Sequence, residues 1–167
     1  MSTLKVNTLQ NTSGDNITRI VQVVQNTTTT RLATNSTTYV ASDHLVTITP
    51  QLAGSKILLS FSGCVNSNGT NHRAFVDIYR SINGGTFTGL APVGSNQTVG
   101  ANNNEGFVGA VRADNSRVQC PTNLVFLDSP SYSLGNSIVY KVYGQTIELP
   151  ATIESDPWIN MATEIAQ

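Results

Sequence analysis

The sequence predicts an all-β fold, a jelly-roll-like antiparallel β-sandwich, on three observations. Apolar residues recur in short runs that alternate with polar ones, the period-2 signature of strands with one buried face. No window sustains the 3.6-residue period of an amphipathic helix. Turn signals rich in Gly, Pro, Asn and Ser separate the runs at roughly the 8–12-residue spacing of sandwich folds.

The elements follow in chain order. Leu4, Val6 and Leu9 suggest a short extended segment, which NTSGD at residues 11–15 ends in a turn. ITRIVQVV at residues 17–24 is rich in β-branched side chains and predicts a strand. The tract NTTTTRLATNSTT, residues 26–38, has no periodicity; because the β-branch of Thr favours extended backbone, the expectation is an extended linker or edge segment. Val46 and Ile48 alternate with Thr47 and Thr49 until Pro50 ends the run, and a turn is expected at residues 51–55. Ile57, Leu59 and Phe61 alternate with Leu58, Ser60 and Ser62. Ala74, Val76, Ile78 and Ile82 alternate with Asp77, Tyr79 and Ser81 up to Asn83-Gly84-Gly85, whose tolerance of positive φ predicts a hairpin with its return strand at residues 87–93. After the polar loop at 94–106 come strands around Phe107–Val111, at 123–127, at 138–143, where Ile138, Tyr140 and Val142 alternate with Val139, Lys141 and Tyr143, and at the end of the chain around Ile159, Met161 and Ile165. Residues 1–37 are expected to form a separate N-terminal segment with a linker, and residues 38–167 the sandwich.

Composition restricts function. The 167 residues suit one domain. Charged residues make up 11% of the chain, against roughly 25% in an ordinary soluble domain, so Asn, Ser and Thr supply the polar surface. A net charge of -1 with no basic run gives no electrostatic basis for binding nucleic acid. The opening residues lack the apolar centre of an export signal, and no run approaches the roughly 20 apolar residues of a membrane helix. Synthesis in a reducing cytoplasm is therefore expected, with Cys64 and Cys120 as thiols.

Three pieces of text carry a resemblance to bacteriophage tail fibre proteins, those of cyanophages included: the opening STLKVNTLQNTSGDNI, the stretch ITPQLAGSKILLSFSGCVN at residues 48–66, and AFVDIYRSING together with the terminal INMATEIAQ. The resemblance touches most of the chain. It implies a β-rich homotrimer in the virion tail whose N-terminal segment attaches to other tail or baseplate proteins and whose jelly roll faces the host. Leu4, Val6, Ile17, Ile20, Val21 and Val23 are the candidate oligomerisation residues, because a strand apolar on both faces needs cover on both sides. The alternative is a purely structural virion part, such as a capsid decoration, collar or baseplate adaptor.

The expected mode of action is contact, not catalysis. His44 and His72 have no Cys or second His at zinc-ligand spacing, no GxSxG elbow is present, no D-x-D-x-D-G loop suits calcium, and the carboxylates are scattered. No cofactor, metal or catalytic residue is expected. Recognition of a host glycan or protein is expected from polar loops carrying Asn68, Asn71 and His72, then Asn102, Asn103 and Asn104, and from Tyr132, since amides hydrogen-bond to sugar hydroxyls and an aromatic face stacks on sugar rings. Trp158 is expected in the core or at a subunit interface.

Overall fold

The computed structural model describes residues 19–68, 72–90, 108–113, 118–146, 152–155 and 158–166. These form eleven strands and no helix: β1 (Ile20–Thr28), β2 (Ala33–Thr34), β3 (Val40–Ile48), β4 (Lys56–Asn68), β5 (His72–Ile82), β6 (Thr88–Gly89), β7 (Val108–Ala113), β8 (Val118–Asp128), β9 (Ile138–Thr146), β10 (Thr152–Ser155) and β11 (Trp158–Ile165). All pairings are antiparallel.

Three lanes are shared by two strands each. β10 and β11 pair with successive stretches of β4, β2 and β1 flank them on the far side, and β6 and β7 share the free edge of β5. One sheet then runs β1–β11–β4–β8 and the other β3–β9–β5–β7. Between lanes, every step along the chain passes from one sheet to the other except the one from β5 to the lane of β6 and β7. This is the strand order of a jelly roll.

Alternation along the strands builds the core. Ile57, Leu59 and Phe61 of β4, Leu124 of β8 and Ala162 of β11 meet Val46, Ile48, Val76, Ile78, Ile138, Tyr140 and Val142 from the facing sheet. Trp158 fills the space over Gly63, where an added Cβ would collide with the indole, so only glycine lets β4 pass beneath the ring. Trp158 is completely buried and meets buried His44 in a tilted ring contact, 5.7 Å between centroids. Burial holds the His44 pKa down at about 4, against the opposing pull of Asp43, so the imidazole is neutral in the fold.

Polar contacts close the sandwich. The buried Glu164 carboxylate accepts from the backbone N–H groups of Gln51 and Leu52 at 3.0 Å and from Gln22 Nε2 at 2.7 Å, which pins the β3–β4 turn onto β11 and β1. Burial alone would raise this carboxyl; the donors of Gln51, Gln22, Leu52 and Ser55 outweigh it and hold the pKa below the ordinary value. Arg80 Nη1 donates to both oxygens of Asp128 at 2.7 and 2.8 Å, and the Tyr140 hydroxyl donates to Asp128 at 2.8 Å, joining β5, β8 and β9.

The N-terminal boundary differs from the expectation. Residues 20–28 and 33–34, assigned from sequence to a separate segment and linker, lie in the sheet as β1 and β2. The physical reason is a set of side-chain bonds across the sandwich. Gln22 Nε2 donates to the Thr49 carbonyl, Asn26 Nδ2 to the Leu45 carbonyl and the Thr28 hydroxyl to the Asp43 carbonyl, at 2.8, 2.9 and 3.2 Å. Three inward side chains of β1 are polar because they face the backbone of β3, and between them Val24 packs against the core. Leu4, Val6 and Ile17 lie outside the described residues.

Two other expectations concern turns and cysteines. Asn83 and Gly84 take φ of 51° and 73°, the left-handed pair of a tight hairpin, as the Asn-Gly text predicts. The return strand is described only as Thr88–Gly89. Cys64 forms no disulfide and its thiol donates to Asn66 Oδ1 at 3.7 Å. Cys120 stands opposite Val65 in the β4–β8 register, and only its backbone belongs to the described residues.

Candidate functional site

The outward face of the β3–β9–β5 sheet gathers aromatic side chains. On β9, Ile138, Tyr140 and Val142 point into the core, which turns Val139, Lys141 and Tyr143 outward. On β5, Ile78 points inward and Asp77 and Tyr79 outward. The register places Tyr79 opposite Lys141 and Asp77 opposite Tyr143, so the four side chains form one block. The Tyr79 and Tyr143 rings stack at 4.0 Å between centroids and 26° between planes. Tyr39, just before β3, meets Tyr79 at 5.7 Å, and Phe87, just before β6, meets Tyr143 at 5.9 Å. Lys141 Nζ sits over the Phe87 ring, 5.7 Å from its centroid, a cation–π contact.

Asp77 lies at the floor of this cluster. It is buried, and its Oδ1 accepts from the Ile78 backbone N–H at 2.7 Å. Gly89 of β6 passes close above: a Cβ there would lie 3.2 Å from Asp77 Oδ2 and 3.4 Å from the Tyr79 ring, so the glycine allows this edge to approach. Burial, then the charge of Asp77 and the neighbouring Tyr143, raise the Tyr79 pKa; burial raises that of Tyr143. Both phenols therefore keep their protons at neutral pH and remain O–H donors. Four rings, three phenol hydroxyls and an ammonium on one sheet face offer stacking surfaces ringed by hydrogen-bonding groups. That chemistry suits a ligand with apolar C–H faces and hydroxyl edges, such as a sugar ring.

The residues singled out from sequence fall elsewhere. Asn68 ends β4 opposite Thr152, and His72 begins β5 opposite Ala113, so both stand at one end of the sandwich. Asn71, Asn102, Asn103 and Asn104 lie outside the described residues. Tyr132 has a different role from the stacking platform expected of it. It packs against the core, its hydroxyl donates to the Leu52 carbonyl at 2.6 Å, and it accepts from the Ser55 N–H at 3.0 Å, holding the β3–β4 turn. Of the candidate oligomerisation residues, Ile20 and Val23 stand exposed on β1, while half-buried Val21 sits at a register shift between Ile20 and Gln22. His44 is a core residue.

The described carboxylates with hydrogen bonds in the fold each have a separate set of donors: Asp77 the Ile78 N–H, Asp128 the Arg80 and Tyr140 side chains, Glu164 the β3–β4 turn. Among the described residues no group of three His, Cys, Asp or Glu side chains is placed to hold a metal ion. The described residues contain no helix long and apolar enough to cross a membrane.

The aromatic cluster escaped the sequence reading although its signal was present. Tyr79 and Tyr143 occupy outward phases of two alternating strands. What the sequence lacks is the statement that those strands are neighbours: β5 and β9 are far apart in the chain and meet only through the crossing topology. Against protein-family models and against curated proteins, the sequence matches none.

Proposed function

We propose that this chain is a bacteriophage tail-fibre-type protein, a virion component that acts as a homotrimer and attaches the particle to a glycan on the host surface through the aromatic face of its β3–β9–β5 sheet. The observation that carries the reading is the cluster of Tyr39, Tyr79, Tyr143 and Phe87 with Lys141 and Asp77. Two others support it: the jelly-roll strand order, an architecture shared by viral and lectin domains, and the resemblance of the chain's text to tail fibres. The function needs no reacting group. Stacking of sugar C–H faces on the rings supplies the apolar contact, while the phenols and Lys141 set orientation. Each site binds weakly, and several copies on one particle raise avidity about 10²–10⁴-fold.

The test is binding of the purified protein to a panel of bacterial envelope polysaccharides. Tyr143→Ala is expected to weaken binding to the polysaccharide retained by the wild type by about tenfold, a loss of roughly 1.4 kcal/mol. Unchanged circular dichroism would show that the sandwich persists. Retention of full binding by a folded Tyr143→Ala protein would remove the aromatic face from the function.

A further inference from the structure

The opposite outer face, on the β1–β11–β4–β8 sheet, carries large apolar side chains among uncharged polar ones where an antiparallel sheet facing water is ordinarily polar. The registers align Val23, Thr163, Leu58 and Leu127 in one row across all four strands. The next row holds Gln25, Met161, Ser60 and Val125, and the one after it Thr27, Ile159, Ser62 and Asn123. Five of the six exposed large hydrophobic residues belong to this face: Ile20 at 67% exposure, Val23 at 54%, Val125 at 64%, Leu127 at 47% and Ile159 at 49%. Apolar surface concentrated in this way marks an interaction site.

We propose that this face is covered by other copies of the same chain, so that the protein self-associates through its β1–β11–β4–β8 sheet and turns the aromatic sheet outward. The inference deepens the self-association in the reading above by naming its surface. Three observations select a second copy as the occupant. The first is charge: of the paired outward positions on these strands only Lys56, at the corner beside Ile165, is ionic, so the face offers almost nothing to a charged partner and two copies meet without repulsion. The second is shape. Ser60 and Ser62 of β4 leave a trough between Val125 and Asn123 on β8 and a ridge of Met161 and Ile159 on β11, with Leu58 and Leu127 standing at its end, so the face carries both a ridge and the groove that receives one. The third is size. Four strands at about 4.8 Å and eight residues at about 3.4 Å give a footprint of about 500 Å² per copy, roughly 1,000 Å² for two, where specific interfaces begin.

The experiment is solution mass by light scattering on the full chain and three variants. The wild type is expected at three times 17.8 kDa, and Leu127→Lys at 17.8 kDa itself. Ser60→Lys, which places a charge in the trough without removing any apolar contact, is expected to dissociate the assembly as well and serves if Leu127→Lys fails to fold. Leu134→Lys, at the exposed hydrophobic residue outside this sheet, is expected to keep the wild-type mass. A wild type at 17.8 kDa, or a folded Ser60→Lys protein that stays assembled, would overturn the proposal and leave a different virion protein as the occupant. The outcome is separable from that of the glycan reading: dissociated protein immobilised on a surface keeps its aromatic face, and polysaccharide binding there reports on that face alone.

Discussion

His44 shows how one buried side chain sets a pH response. Its ring packs on Trp158 with no exposed surface, and its pKa falls from 6.5 to about 4 because the charged form is poorly solvated there. The unfolded chain takes up a proton near pH 6.5 and the folded chain does not until about pH 4, so stability from this group is full above the first value and declines toward the second. At about 1.4 kcal/mol per pH unit, the decline is worth about 3 kcal/mol. His44→Phe keeps the ring and removes the titration. Urea unfolding of that variant is expected to show a smaller loss between pH 6.5 and 4 than the wild type, and parallel curves would contradict the assignment.

At the scale of the element, the turn between β3 and β4 is held by a carboxylate on β11. Glu164 takes two backbone N–H groups and the Gln22 amide. Since its folded pKa lies below the ordinary value, its contribution is present above that value and disappears as acid carries the pH down through the folded one. Glu164→Gln sets an amide N–H₂ against these donors and is expected to destabilise the fold by about 1–3 kcal/mol at neutral pH. The gap from wild type should narrow as the carboxylate is protonated, read as midpoints of chemical unfolding at pH 7 and pH 3. A gap that stays constant would assign Glu164 a packing role only.

Element scale is also where the sequence was most and least legible. Ile57, Leu59 and Phe61, or Ile138, Tyr140 and Val142, announce a half-buried strand because their inward partners are apolar. β1 reads as a strand from its β-branched run, but its place in the sandwich is hidden. Its inward residues Gln22, Asn26 and Thr28 are polar because they bond to β3 carbonyls, and a pattern judged on hydrophobicity passes over them. Tyr132 misled in the other sense: an aromatic in turn-rich text suggests an exposed platform, while its hydroxyl has two backbone partners inside the fold.

For the whole molecule, the two sheets face outward with different chemistry. One outer face is almost uncharged, its large apolar side chains set among polar ones, with a serine trough beside a ridge; the other carries stacked tyrosines, a lysine and a floor carboxylate. Low charge throughout the chain is consistent with a body that meets neutral hydroxylated surfaces by short-range contact and makes no use of long-range steering. The division of labour depends on long-range register, which is why neither face could be assembled from the sequence alone.

The central claim, that the aromatic face meets the glycan, is tested most directly by nuclear magnetic resonance mapping of the labelled protein during titration with oligosaccharide fragments of the host envelope polysaccharide. The account predicts shifts centred on Tyr79, Lys141 and Tyr143, with Val125 and Leu127 unmoved. Shifts centred on Val125 and Leu127, or none at saturating ligand, would contradict it.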